Sequence, residues 1–271
     1  MITTPYAEVI GDPIAQSKSP LIHGFWLKAL GIEADYRKTH VTAAGLAEFV
    51  ATRRDDPDWR GCNITVPHKI AALDLIEDRG GVRGTIGAIN TIIRAEDGAL
   101  IGTNTDAAGF YAPLAEVDLA GAPVTVVGTG GAARAVLFAL SRMATGPVTI
   151  CARNPLKAAG LLATFGLKGA AVPIPGIAPA SALLVNATTL GMTGQPPLDL
   201  DLSALPATAL VYDIVYAPLD TPLLRAARAR GLDTIDGLEM LVGQAAVAFE
   251  LFFGQAPPRD RDDALRELLT V

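Results

Sequence analysis

The chain has 271 residues, half of them hydrophobic and 18% charged, enough for one large or two modest domains with a substantial core. Its net charge of −6 argues against a broad nucleic-acid surface, although a local cationic cluster can still meet a small anionic substrate. Cys62 and Cys151 fit no paired motif, and His23, His40 and His68 lack metal-ligand spacing. No signal peptide and no bilayer-spanning apolar run is found, so the expectation is a cytoplasmic enzyme with reduced thiols and no metal.

In chain order, strands are expected near 6–10, 33–40, 61–66, 88–94 and 99–102, with helices near 20–30, 43–53 and 69–76. On the strand 61–66, Asn63 and Thr65 are two apart and share a face. Pro67 closes that strand by removing a ladder donor. Lys69 then stands at its carboxyl end, where open α/β sheets place ligands. A lysine held away from water favours its neutral form, which suits proton transfer. The same run also fits an ordinary strand and turn with a solvated lysine. Ile92-Ile93 and Leu100-Ile101 flank Glu96-Asp97-Gly98 as a hairpin ending at Gly102. Asp106 follows where the composition turns helical, and its plain role is helix N-cap. Paired with Lys69, it becomes an acid/base couple able to hold a hydroxyl and move its proton.

A second alternation begins at 124, with strands near 124–127, 147–151, 182–186, 209–213 and 232–234 and helices between most of them. This implies a parallel sheet with right-handed crossovers. Segment 168–180, rich in Gly, Ala and Pro, is expected to be a loop. One apolar helix over 237–254 precedes Pro257-Pro258 and a short terminal helix. The first of these strands runs into Gly128-Thr129-Gly130-Gly131-Ala132 and then an apolar helix, the context a dinucleotide fingerprint requires. Gly128 permits the tight turn, Gly130 lets backbone approach a pyrophosphate, and Gly131 or Ala132 keeps the first helical turn clear. The helix amino end offers unpaired N–H groups to the phosphates. The spacing is a variant, and a ligand-free glycine turn fits it too. After the next strand, Arg153 and Lys157 stand where an NAD site carries an acid, so NADP is the expected cofactor.

Further motifs lie in order along the chain: Gly11-Asp12-Pro13 with Ser17-Lys18-Ser19-Pro20, the run 63–69, Gly87-Ala88-Ile89-Asn90-Thr91 and Asn104-Thr105-Asp106. After the glycine turn come Asn186-Ala187-Thr188 with Gly191-Met192, and 213–216 with Thr221-Pro222-Leu223. Last is Asp236-Gly237-Leu238 with Met240-Leu241 and Gln244. Together they resemble the shikimate dehydrogenase family over nearly the whole chain. The resemblance implies a two-domain α/β protein, with an amino-terminal α/β substrate domain (1–105 with 238–271), a Rossmann-like NADP-binding domain (106–237) and an active site in the cleft between them.

By the same resemblance, Lys69 and Asp106 are the catalytic pair. Ser17 and Ser19 bind the substrate carboxylate with help from Tyr216, while Thr65, Asn90, Asp106 and Gln244 hold ring hydroxyls. Gly128, Thr129, Gly130, Gly131, Ala132, Arg153 and Lys157 serve the cofactor, with Thr188, Ile214 and Gly237 at its nicotinamide end. Plainer roles exist: Ser17 and Ser19 as a turn and a helix cap, Asn90 as a turn residue. Gln244 lies in an apolar helix and needs a partner, since an unpaired buried amide is costly. The implied reaction is reversible NADPH-dependent reduction of 3-dehydroshikimate to shikimate, a step toward chorismate and the aromatic amino acids. The expected partner is a small anionic cyclic substrate, with no nucleic acid or membrane, for a monomer or homodimer. Ala152-Arg153-Asn154 departs from the family's Asn-Arg-Thr, which leaves dual cofactor use open. Thr103 stands where Asp or Asn is frequent, a change expected to be tolerated. The competing readings are a dual-specificity quinate/shikimate dehydrogenase and a non-catalytic NADP-binding regulator.

Overall fold

The computed structural model describes residues 4–270. They fall into two units, one within Met1–Thr105 and Val242–Val271, the other spanning Asp106–Leu241.

The first unit contains β1 (Tyr6–Gly11), α1 (Ser19–Leu30), β2 (Asp35–His40), α2 (Leu46–Arg54), β3 (Trp59–Ile64), α3 (Val82–Thr85), β4 (Thr91–Arg94) and β5 (Leu100–Thr103). Its sheet has the order β2-β1-β3-β4-β5. The first three strands are parallel, and β4 and β5 extend them antiparallel through the expected hairpin. All of β1 is buried, as a strand with neighbours on both sides demands. Its one charge, Glu8, is compensated: the carboxylate accepts from Arg53 Nε at 2.7 Å and Trp59 Nε1 at 2.8 Å. Edge strand β2 carries exposed Asp35, Arg37 and Lys38, charges that discourage further pairing. Helix α1 begins with Pro20 in its first turn, ends on left-handed Gly31, and buries Ile22, His23, Trp26 and Leu27 at helical spacing.

The helix expected over 69–76 is instead a single 3₁₀ turn, Ala71–Leu75. Ile76 is already extended, and Glu77 exchanges backbone bonds with Leu100 and Gly102 at 2.8 and 3.2 Å. Pairing with the edge of β5 draws the segment out before a second turn can form.

The second unit holds α4 (Asp106–Tyr111), β6 (Val124–Val127), α5 (Gly131–Arg142), β7 (Val148–Cys151), α6 (Pro155–Phe165), β8 (Gly169–Val172), β9 (Leu183–Asn186), β10 (Leu210–Asp213), α7 (Pro222–Ala229) and β11 (Asp233–Ile235). All six strands are parallel, in the order β11-β10-β9-β6-β7-β8. From β6 the sheet grows one way through β7 and β8 and the other way through β9 to β11. Strand β6 thus borders the topological switch point, where such sheets bind ligands at their carboxyl ends. Val124, Val126, Val185 and Tyr212 enter one apolar cluster and Val127, Leu184 and Val211 another, the alternation of a sheet buried on both faces. Strand β8 corrects the expectation of a loop from 168. It is a short edge strand of Gly169, Ala170, Ala171 and Val172 paired only with β7, so it shows no apolar alternation.

Helix α8 (Gly237–Phe253) opens in the second unit, where Met240 joins the core, and continues into the first, where Ala248 and Phe252 pack with Ala7. Helix α9 (Asp262–Thr270) ends the described chain. Among the described residues, no helix is long and apolar enough to cross a membrane.

Candidate active site

In the first unit the sequence-selected polar residues cluster at strand ends. The loop after β1 turns through Ser17 into α1, whose first residue is Ser19. Ser17 is half-buried and its hydroxyl donates to Ser19 Oγ at 3.3 Å; Ser19 is 5% exposed. The N-cap position of α1 is Lys18, which makes no side-chain cap, while Ser17 Oγ accepts the Ser19 N–H at 3.4 Å. The Lys18 ammonium donates to the Leu269 carbonyl in the last turn of α9, a favourable end for a cation.

Strand β3 ends at Ile64, two residues earlier than expected, yet its ladder continues. Thr65 N–H donates to Ile10 O at 2.9 Å, and Asp12 N–H donates to Val66 O at 3.0 Å. A side chain at Gly11 would come within 2.5 Å of Thr65 Cγ2, so the glycine leaves room for that threonine. Asn63 is consumed by the fold: its Oδ1 accepts the Tyr36 hydroxyl at 2.6 Å and its Nδ2 reaches Thr91 Oγ1 at 3.0 Å. Thr65 and Lys69 are only half-buried. Backbone and ring anchor the turn that carries them. Ile89 N–H donates to the Lys69 carbonyl at 2.8 Å, and the buried His68 ring meets Val41 O at 2.6 Å. A carbonyl only accepts, so His68 Nε2 carries the proton.

Three residues far apart in sequence form a buried polar group. Asn90 Nδ2 donates to Thr105 Oγ1 at 2.8 Å and to Gln244 Oε1 at 3.2 Å, while Thr105 N–H donates to Asn90 Oδ1 at 2.7 Å. The three are 2%, 2% and 7% exposed. Asn90 and Gln244 were selected from sequence and are found together. Thr105 was missed as a site residue; its one signal was its place between Asn104 and Asp106. Asp106, 4% exposed, opens α4 in the second unit.

The second unit supplies the dinucleotide elements. Gly128 takes φ 119°, and a side chain there would come within 2.8 Å of the Ala187 carbonyl, so only glycine fits this turn. Gly130 is the N-cap of α5, and a Cβ built on it meets nothing within 4 Å. Thr129, Gly131 and Ala132 are half-buried around the same amino end. Arg153 and Lys157 are exposed beyond β7. Between them Asn154 caps α6, its Oδ1 accepting Lys157 N–H at 3.1 Å. The open space, the free helix end and the two cations fit an adenine dinucleotide bearing an extra phosphate.

Thr188 follows the end of β9 and Ile214 the end of β10, where Ile214 N–H donates to Asn186 O at 3.2 Å. A Cβ on Gly237 would come within 2.5 Å of Ile214 O and Val215 O, so α8 starts against that backbone. Tyr216, selected for the substrate, is half-buried in the same connection, two residues past Ile214. Asn186 and Asp213, the buried last residues of their strands, carry the hydrogen bonds of this region.

A doubly wound domain with its glycine turn at the switch point, attached to a separate α/β unit, belongs to the class of nicotinamide-dinucleotide oxidoreductases. Family models agree and are more specific. Residues 9–92 match the shikimate dehydrogenase substrate binding domain, and residues 237–262 match the shikimate 5′-dehydrogenase C-terminal domain. The chain is 70% identical to the NADP(+) shikimate dehydrogenase of Sphingopyxis alaskensis, covering 99% of this chain and 98% of that one. Its fold is similar to the Thermus thermophilus shikimate 5-dehydrogenase solved with NADP(H) and shikimate, at TM-score 0.84, 38% identity and coverage of 97% and 99%. It is also similar to a quinate dehydrogenase of Corynebacterium glutamicum solved with NAD, at TM-score 0.85, 30% identity and coverage of 98% and 99%. The chain belongs to the shikimate dehydrogenase family.

Proposed function

We propose that this protein is an NADP-dependent shikimate dehydrogenase that interconverts 3-dehydroshikimate and shikimate on the route to chorismate. The observation that carries the reading is the buried Asn90, Thr105 and Gln244 group in a chain 70% identical to an NADP(+) shikimate dehydrogenase. Buried amides and a hydroxyl gathered in one place offer the donors and acceptors that a ligand presenting several ring hydroxyls engages.

In this reading Ser17 and Ser19 donate hydroxyl hydrogen bonds to the substrate carboxylate, assisted by Tyr216. Thr65, Asn90, Asp106 and Gln244 hold the ring hydroxyls. Bound NADPH supplies the hydride. Lys69 delivers the proton to the carbonyl oxygen as the carbinol forms, and takes it back in the reverse direction. Asp106 is its carboxylate partner and orients the neighbouring hydroxyl. The N–H groups from Thr129 to Ala132 receive the pyrophosphate, the Gly128 N–H being donated to Cys151 O at 2.9 Å, and Arg153 with Lys157 receives the 2′-phosphate. Thr188, Ile214 and Gly237 border the nicotinamide. The enzyme acts in the cytoplasm as a monomer or homodimer.

Wider cofactor use has one supporting observation. Ala152 offers no polar side chain, so beside the Asn154 amide N–H group, whose oxygen caps α6, recognition of the 2′-phosphate rests on two exposed cations. The test is cofactor reduction with shikimate and quinate, each with NADP⁺ and NAD⁺. Turnover confined to shikimate with NADP⁺ supports the biosynthetic reading. Comparable rates with quinate or NAD⁺ move the protein to the dual-specificity branch, and no turnover from folded protein refutes the assignment.

A further inference from the structure

Asp213 ends β10, is fully buried, and has no part in the substrate or cofactor contacts assigned above. Its two oxygens face different segments. Oδ1 accepts from Asn186 Nδ2 at 2.9 Å and from Val215 N–H at 3.0 Å, while Oδ2 accepts the Thr221 hydroxyl at 2.7 Å. Asn186 carries the arrangement onward. Its Oδ1 accepts the Thr188 hydroxyl at 2.7 Å and Thr188 N–H at 3.1 Å, and its Nδ2 also reaches Leu190 O at 3.0 Å. Thr221 Oγ1 in turn accepts Leu224 N–H at 3.2 Å and so caps α7. One carboxylate therefore joins the chain after β9, the chain after β10 and the start of α7.

The sheet does not need this group to hold together. Strands β9 and β10 are already paired from Leu183 and Leu210 through Asn186 and Asp213. Desolvation pushes the Asp213 carboxyl above its ordinary range, against the pull of its three donors. Its loss would leave three buried donors unpaired. What the carboxylate adds is direction: it fixes where two loops stand relative to each other.

We propose that Asp213 is a positioning residue for hydride transfer, acting through Asn186 and the 214–215 backbone to hold Thr188 and Ile214 against the reactive end of the dinucleotide. The inference rests on the reading that Thr188, Ile214 and Gly237 border that end.

Asp213→Asn keeps the shape but replaces one accepting oxygen by a donor. It lowers kcat/KM for NADP⁺ by about thirtyfold, with kcat falling and KM rising, as loss of charged hydrogen bonds demands. Adenosine 2′,5′-bisphosphate reaches only the Arg153 and glycine-turn end, so its dissociation constant stays within about twofold. Thr221→Val removes only the bond to Oδ2 and the α7 cap. It shows the same split at roughly threefold to tenfold, and decides the matter if Asp213→Asn does not fold. Wild-type kinetics in the folded variants overturn the proposal, and so does an equal loss of bisphosphate and NADP⁺ binding. A wild-type protein that binds neither ligand overturns the cofactor reading, and this one with it.

Discussion

His23 makes a quantitative demand on the stability of the first unit. It is fully buried on α1, its ring stacked on Tyr36 at 3.8 Å, with Trp26 and Phe249 each 5.8 Å away. Among the described residues, neither ring nitrogen has a hydrogen-bond partner. A proton added there would create an uncompensated charge, and burial pushes the pKa from 6.5 down to about 3. Above the unfolded value both states are neutral and the residue contributes no pH dependence. Below it the unfolded chain takes up a proton that the folded chain refuses, so stability falls as pH falls from 6.5 toward 3. At about pH 5, roughly 1.5 units below the unfolded value, the loss is about 2 kcal/mol. The two tryptophans, Trp26 and Trp59, are both fully buried in the first unit, so their fluorescence in urea reports its unfolding. His23→Leu removes the titration while keeping an apolar side chain in the aromatic cluster. Between about pH 8 and about pH 5 the stability difference between the two proteins shifts by about 2 kcal/mol in favour of the variant. Parallel pH profiles would refute the reasoning.

Lys69→Ala lowers kcat by about a hundredfold or more while KM for shikimate rises only a few-fold, because proton transfer acts in the transition state. A near-normal kcat in steady-state assays removes Lys69 from the chemistry. Gln244→Met keeps the volume but deletes the oxygen that accepts from Asn90 at 3.2 Å. KM for shikimate then rises by about tenfold with KM for NADP⁺ unchanged, and a change confined to NADP⁺ contradicts the role. Arg153→Ala raises KM for NADP⁺ by about tenfold and leaves NAD⁺ kinetics alone, since only the 2′-phosphate loses its partner. An equal effect on both cofactors would place Arg153 elsewhere.

Local signals made much of the fold legible. The apolar strand running into Gly128 announced the switch-point turn, and the Glu96-Asp97-Gly98 turn between apolar pairs announced the β4–β5 hairpin. What stayed hidden depends on partners remote in sequence. Thr105 is 15 residues from Asn90 and 139 from Gln244, and only folding brings the three together. Strand β8 pairs small residues with a single neighbour, so nothing in its own composition marks it. The turn at Ala71–Leu75 has helical composition but gives way to pairing between Glu77 and β5. Asn154 stood out as a departure from the family's Asn-Arg-Thr, and the structure gives its oxygen the cap of α6. Asp213 was visible as part of a motif, but its role as a knot between loops needed the geometry.

Transfer of label tests the central claim most directly. Shikimate carrying deuterium on the carbinol carbon that becomes the ketone is incubated with the protein and NADP⁺, and both products are weighed by mass spectrometry. The account predicts that the deuterium leaves the ring and appears in NADPH. NADPH without label, or no NADPH from folded protein, would contradict it.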